Sequence, residues 1–152
     1  MRPRIFRISV LAAFLLVGCG DLVGSNSDQV KEETYVYTAY DSTGTAIVEG
    51  ELDVTFEKVE DEDNRFHLEG TWDLKQVRET ECPIGKQTGE GELRGTVREN
   101  GRAWIHLNPN IEDDNVTLQG KFEGDGLDRL QGEWSYMSWV RVNGGQFEVE
   151  AK

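Results

Sequence analysis

The sequence predicts an all-β protein folded as an eight-stranded antiparallel up-and-down barrel. Apolar and polar residues alternate with period two through most of residues 34–152, and no helical periodicity persists for three turns. Short turn signals separate eight such segments, and Asn100-Gly101 is a strong example. Strands joined by short turns, each with one apolar and one polar face, form an antiparallel meander.

The alternation also assigns the inner face of each strand. The first strand begins at Tyr35 and turns at residues 41–44. At Asn100-Gly101 we expect a type I′ turn, because Asn-Gly readily adopts the positive φ values that this turn needs. The inner faces predicted for the other strands, at every second residue, are Val48 to Phe56, Phe66 to Leu74, Gly89 to Val97, Ala103 to Leu107, Val116 to Phe122, Leu130 to Tyr136 and Gly145 to Ala151.

A recurring Leu-x-Gly-x-aromatic unit predicts that the sheet closes. It occurs at residues 68–72, 118–122 and 130–134, and its glycine falls on the inner face each time. An inward glycine marks a bend, or a place where a neighbour's large side chain crosses the strand. Both features belong to a small closed barrel, and closure removes the exposed strand edges.

The first nineteen residues have the order of an export signal. Three arginines precede an apolar run from Ile8 to Val17, which is too short to span a bilayer comfortably. Leu16-Val17-Gly18-Cys19 then resembles the lipobox of a bacterial lipoprotein signal. That resemblance implies that Cys19 becomes the mature N-terminus and carries acyl chains. The alternatives are an uncleaved anchor helix or an ordinary signal peptide, although an Ala-x-Ala-like site is missing.

These features divide the chain into a signal peptide (1–18), a lipidated flexible tether (19–33) and a β-barrel domain (34–152). Gly20, rather than aspartate, follows Cys19. In the lipoproteins of two-membrane bacteria that this signal resembles, such a residue favours the outer membrane. The predicted location is therefore the bacterial cell envelope, with a lipid anchor in the outer membrane.

The charge excludes some partners. Sixteen basic and 29 acidic residues become 13 and 29 once the three arginines of the signal are removed, which gives a mature charge of −16. Nucleic acid and anionic lipid surfaces both require Lys and Arg patches, so neither is a predicted partner. The acidic balance serves solubility or adaptation to high salt.

The strand count and the Gly-x-aromatic units resemble those of calycin-like small barrels, including the lipocalins, the avidins and bacterial lipocalin-like lipoproteins. The resemblance covers residues 34–152. It implies binding of a small, mostly apolar molecule at the mouth or inside the barrel. It transfers no individual binding residue, and the scarcity of inward polar groups argues against biotin.

Signals for an enzyme are weak, and no cofactor is indicated. His67 and His106 fall on outward positions of different strands, and no nucleophile–base pair appears. Cys82 is a lone thiol beside glutamates, which suits an incidental loop cysteine better than a reactive one. Acidic turns at 61–63 and 113–114 could bind calcium, but such turns are expected in so acidic a chain.

Aromatic residues are the better candidates for a site. Trp72, Trp134 and Tyr136 are predicted to point inward, where they either pack the core or contact a ligand. Trp139 lies in an apolar segment that either covers the barrel mouth or marks a partner surface. Alternatively, this segment extends both flanking strands, with Asn143-Gly144 as the turn.

Two functions follow as predictions. The first is a non-enzymatic, membrane-anchored barrel that binds a small apolar molecule or envelope lipid inside. The second is a solid-core barrel whose outer surface, around the outward Trp104 and Trp139, joins an envelope protein assembly.

Overall fold

A computed structural model describes residues 30–59, 64–81, 83–111, 115–124, 126–137 and 142–152. Within these residues no helix is long and apolar enough to cross a bilayer. The strands are β1 (Val30–Tyr40), β2 (Ala46–Lys58), β3 (Asn64–Gln76), β4 (Gly89–Arg98), β5 (Arg102–Leu107), β6 (Val116–Phe122), β7 (Arg129–Met137) and β8 (Val142–Ala151).

The strands form a closed antiparallel barrel, which confirms the predicted fold. Each strand pairs with the next in sequence, and β8 pairs with β1 to close the ring. The register of closure runs from Tyr35 opposite Ala151 to Ala39 opposite Phe147. β1 begins at Val30, so residues 30–33, which were predicted to lie in the tether, belong to the barrel.

The inner face is the apolar set that period-two alternation predicts. Successive side chains of a strand point to opposite faces, so one residue in two reaches the centre. The interior is lined by buried residues from all eight strands: Tyr35, Tyr37, Ala39, Val48, Leu52, Val54, Phe56, Leu68, Trp72, Leu74, Leu93, Val97, Ala103, Ile105, Leu107, Val116, Leu118, Phe122, Leu130, Trp134, Phe147 and Val149.

One inward glycine has a role that was predicted for it, the crossing of a large side chain, and two others allow close approach of neighbouring backbones. A Cβ atom added to Gly91 would collide with the indole ring of Trp72, which crosses the strand there. Gly120 and Gly132 face each other across β6 and β7, and a Cβ at Gly132 would collide with the backbone of β6. Glycine is therefore required at these positions by close approach of neighbouring atoms.

Two turn predictions need correction. Residues 99–101 do connect β4 and β5 tightly, but only Gly101 has a positive φ, of 79°. A type I′ turn needs positive φ at both central residues, so the predicted turn type is wrong. Asn143 and Gly144 are also not a turn, because they lie in β8 opposite Tyr136 and Ser135.

Antiparallel order gives the barrel two distinct ends. The entry end is the one at which β1 begins, and it also carries the 99–101 hairpin and the segment between β6 and β7. The far end carries the 41–45 turn and the long 77–88 loop between β3 and β4.

Candidate functional site

The barrel interior is filled with side chains. Near the entry end, Phe56 makes edge-to-face contacts with three rings, at centroid distances of 6.2 Å to Tyr35, 6.0 Å to Phe66 and 6.1 Å to Phe122. Towards the far end, Tyr37 stacks on Phe147 at 6.1 Å. Aromatic pairs at such distances add stability beyond their buried area, so these rings form a packed core.

The 77–88 loop closes the far end. Gln87 is fully buried, although no strand contains it. The Tyr37 hydroxyl donates to Gln87 Oε1 at 2.7 Å, and Gln87 Nε2 donates to the carbonyl of Ile84 at 2.7 Å. Gly85, with a φ of 64°, lies against the ring of Tyr136. A loop held in this way occupies the place where a barrel of this size would have its mouth.

A second tyrosine secures the entry end. The Tyr35 hydroxyl donates to the carbonyl oxygen of Leu127 at 2.7 Å. Leu127 is buried and adopts a φ of 60°, which non-glycine residues rarely do. A strained backbone of this kind persists when its surroundings hold it in place. The hydrogen bond and the burial of the leucine side chain together hold this segment across the opening.

Burial sets the protonation state of both tyrosines. Loss of hydration raises the pKa of Tyr37 well above its usual range. The pKa of Tyr35 is raised by burial first, and then by the negative charges of Glu33 and Asp128. Both hydroxyls therefore remain protonated donors.

The predicted ligand-contacting residues lie in this packed core. Trp72 Nε1 donates to the carbonyl of Glu92 at 3.1 Å, and Trp134 Nε1 donates to the carbonyl of Tyr40 at 2.9 Å. Tyr136 is half-buried against the core. Each indole N–H is thus already used by backbone rather than presented to a ligand. Cys19, Cys82 and Trp139 lie outside the described residues.

Trp104 is an exposed aromatic residue on the outer wall. It points outward from β5, as predicted, and 49% of its surface is exposed. Thr96 of β4 and Gln119 of β6 lie directly beside it. Of the six next outward positions on these three strands, His106 and Thr117 are uncharged and four are cationic, and we call these four residues the basic ring: Arg94, Arg98, Arg102 and Lys121.

His106 fixes the orientation of the Trp104 indole. Trp104 Nε1 donates to His106 Nε2 at 2.9 Å, so this nitrogen carries no proton. Nδ1 must then hold the proton, and its neighbours are Thr117 at 3.3 Å and the Asn115 amide at 3.0 Å. If the Asn115 amide is rotated by 180°, its buried, unpaired Oδ1 accepts a hydrogen bond from the Nδ1–H of His106. Burial lowers the pKa of His106, which favours this neutral form.

The opposite wall has an exposed apolar residue surrounded by acids. Val36 points outward from β1, 43% exposed, between Glu51 of β2 and Glu150 of β8. Neighbouring outward positions add further carboxylates. We call the five the acidic ring: Glu49, Glu51, Asp53, Glu148 and Glu150.

Metal-binding side chains are not clustered in the part of the chain that is described. No group of three or more His, Cys, Asp or Glu side chains there has the arrangement of a metal site. His67 is exposed on β3, apart from His106 on β5. The acidic turns at 61–63 and 113–114 lie outside the described residues.

Three kinds of feature at the ends and on the walls of the barrel could not be predicted from the sequence. Gln87 has only one signal, a polar residue in a long loop, and its burial depends on the barrel being closed beneath it. The basic ring combines residues from three strands and the acidic ring combines residues from two, so both become visible only when the alternation is combined with strand register. Leu127 carries no sequence signal of its positive φ.

Searches with this chain found no matching protein family, no similar curated protein and no similar solved structure.

Proposed function

We propose that this protein is a lipid-anchored, non-enzymatic component of the bacterial envelope whose barrel binds a protein partner through its outer wall. The observation that carries the proposal is the contrast between a filled interior, closed at both ends, and an exposed tryptophan held in place within a ring of cations. Of the two functions that the sequence predicts, this contrast favours the interaction module.

The composition of the Trp104 surface supports this function. Tryptophan and arginine are enriched among the residues that dominate binding energy at protein interfaces. Trp104 and three arginines lie together here, with threonine and glutamine beside them. The hydrogen bond to His106 restricts the indole before binding, which reduces the entropy lost on association.

An internal ligand is a weaker proposal because of what it would displace. Entry from the far end requires the Tyr37–Gln87 hydrogen bond to break and Ile84 and Gln87 to leave the opening. Entry from the other end requires release of Leu127. Each broken hydrogen bond would leave a buried polar group unpaired, at a cost of about 1–3 kcal/mol.

The proposed anchor rests on the lipobox-like residues 16–19. Acyl chains add about 0.8 kcal/mol of membrane affinity per buried methylene, so two or three chains hold a protein firmly. β1 begins at Val30, so an anchor at Cys19 would attach to the entry end of the barrel. The Trp104 surface, on the side of the barrel, then stays accessible to neighbours in the same membrane.

Substitution of Cys19→Ala tests the anchor. The wild-type protein should fractionate with membranes and leave them only in detergent, whereas the variant should lose its acyl mass and its membrane association. A variant that stays in the membrane with an intact N-terminal segment would show an anchor helix instead. Mass spectrometry of the N-terminal peptide separates the two cases.

Site-specific photocrosslinking in intact cells tests the interaction surface. A photoreactive amino acid at Gln119, beside Trp104, should give discrete protein adducts, and Trp104→Ala should reduce them. The matched control places the same group at exposed Ser42, in the far-end turn, where adducts should be few. Equal labelling at both positions would overturn the proposal, as would a stoichiometric apolar ligand in native mass spectra of the extracted protein.

A further inference from the structure

We propose that the partner of the Trp104 surface is a second copy of this chain. The basic ring of one copy docks on the acidic ring of the next, so that copies line up head to tail along the membrane. This inference rests on the proposed function and names the partner.

The two rings are complementary in layout as well as in charge. Each surrounds an exposed apolar side chain on the middle strand of three, Trp104 on β5 and Val36 on β1. Four cations surround the first, and five carboxylates surround the second. The contrast extends to whole strands, because β5 and β6 contain no Asp or Glu, whereas β2 contains four.

The rings lie on opposite sides of the barrel. β1 and β5 are four strands apart in either direction around the closed ring of eight. A copy that docks on one ring therefore leaves the other ring free for a further copy. Such a heterologous contact extends into rows rather than closing as a symmetric dimer.

Strand tilt places the two rings at similar heights on the barrel. The residues that lie directly opposite one another on successive strands can be followed from Val36 across β2 and β3. On β4 this path reaches Glu90, near the far end. In the other direction they lead through Glu150 to Arg129 on β7, near the entry end. The point opposite Val36 at the same height therefore falls near the middle of β5, where Trp104 lies. Copies that stand on one bilayer can meet side by side.

Three of the four cations of the basic ring and two of the five carboxylates of the acidic ring form no ion pair with a described residue. Arg98, Arg102 and Lys121 form no ion pair with any described residue, and Arg94 pairs only with exposed Glu69, at 3.6 Å. In the acidic ring, Glu51 contacts Lys152, and Glu148 and Glu150 contact Arg129 at 3.4 and 3.2 Å. Exposed pairs of this kind are worth about 0–1 kcal/mol, so they exchange readily for a better partner.

The net negative charge of the chain does not prevent this contact. At physiological salt the Debye length is about 8 Å, so an approaching surface responds mainly to the nearest charges. The nearest charges to Trp104 are the basic ring. Each ring, together with the apolar residue that it surrounds, covers only part of three strands, so a single contact is weak. Confinement of anchored copies to one surface raises their effective concentration.

Thiol crosslinking on vesicles tests the head-to-tail arrangement. The full acylated chain, in a Cys82→Ser background, is reconstituted in phosphatidylcholine vesicles with Thr38→Cys beside Val36 and Gln119→Cys beside Trp104. A short bis-maleimide should give a ladder of dimers, trimers and higher species. Each single-cysteine protein should stay monomeric, because a head-to-tail contact does not bring identical positions together.

Charge and aromatic variants test the chemistry of the contact. In the double-cysteine protein, Trp104→Ala should reduce crosslinking about 30-fold, as expected for a central hot spot. Arg102→Glu and Glu49→Lys, one in each ring, should each reduce it about tenfold. Lys86→Glu makes the same charge change in the far-end loop and should have no effect. Circular dichroism confirms that each variant is folded.

The outcomes separate this inference from the proposed function. Vesicle flotation reports the anchor independently of crosslinking. Floating protein that gives no ladder would overturn self-association while leaving the anchor intact, as would dimers from the single-cysteine proteins. Cellular adducts at Gln119 that contain only a different protein would also overturn it, but they would support the interaction module.

Discussion

At the scale of single residues, the closed ends of the barrel depend on a few buried hydrogen bonds. Tyr37 and Gln87 come from a strand and a loop fifty positions apart, and neither side chain is exposed. A buried polar group that loses its partner carries the full cost of its lost hydration. The contribution of the Tyr37–Gln87 hydrogen bond to stability is therefore measurable by removing the tyrosine hydroxyl.

Tyr37→Phe should lower the free energy of unfolding by about 1–3 kcal/mol, because Gln87 Oε1 is left without its donor. The measurement is urea denaturation followed by tryptophan fluorescence. The matched control is Tyr40→Phe, because the Tyr40 hydroxyl makes only a long 3.4 Å contact with Glu148 and is partly exposed. Equal effects of the two substitutions would contradict a special role for the Tyr37–Gln87 hydrogen bond.

His106 gives the Trp104 surface a dependence on pH. Burial lowers the folded-state pKa of His106 below its ordinary 6.5. As the pH falls through that value, the unfolded chain therefore binds more protons than the folded chain does. The stability that neutral His106 contributes is therefore present above about pH 6.5 and is lost as the pH falls below it. Protonation also places a proton on Nε2, facing the indole N–H of Trp104.

We expect the wild type to lose stability relative to His106→Gln when the pH falls from 7.5 to 5, as measured by urea denaturation at each pH. Glutamine retains an acceptor for Trp104 but does not titrate. His67→Gln, on the exposed face of β3, is the control and should track the wild type. A constant difference between wild type and His106→Gln across this range would refute the assignment.

At the scale of elements, β6 and β7 approach each other closely where two glycines pair. Gly120 and Gly132 pair there, and a Cβ at Gly132 would collide with the carbonyl oxygen of Gln119. Gly132→Ala should destabilise the protein by about 1–3 kcal/mol, because the backbone must shift to make room. Glu133→Ala, at the neighbouring exposed outward position, should change stability by less than about 0.5 kcal/mol. Thermal denaturation of both variants checks the contrast.

Strands were predictable because their signal is local. One buried face demands an apolar residue at every second position, and a slip by one residue would expose all of them. The inner faces could therefore be assigned from sequence for β2 to β8. Turns were less predictable: Asn100-Gly101 and Asn143-Gly144 read alike, yet one is in a hairpin and the other lies within β8. Whether such a dipeptide forms a turn depends on how far the two flanking strands remain paired.

At the scale of the whole molecule, the closing of the sheet into a barrel could be predicted from the sequence. The segments that cover its two ends, and the two charged rings, could not. Inward glycines predicted a closed sheet, whereas the position of Gln87 depends on a loop folding back onto a core that already exists. The rings depend on register between neighbouring strands. The prediction that Trp72 and Trp134 lie inside the barrel was correct. The side chains that surround them could not be predicted from the sequence.

The distribution of acids predicts the response of the molecule to salt. The full chain has a formal charge of −13, so self-repulsion opposes the compact state. The urea midpoint should rise between 0.05 and 1 M NaCl, and it should rise less for the double variant Glu49→Gln and Glu57→Gln on β2. A midpoint that is flat or falls with salt would show that repulsion is not a significant cost.

The pairing of the first strand with the last has a practical consequence for rearranging the chain. The backbone N–H of Lys152 donates to the carbonyl of Thr34 at 3.0 Å, so the two ends of the barrel domain emerge as neighbours. A short linker could join them, and new termini could be opened in the turn at residues 41–45 while every strand pairing is retained. Such a circular permutant would carry its N-terminal attachment at the other mouth of the cylinder, and so would present the domain upside down.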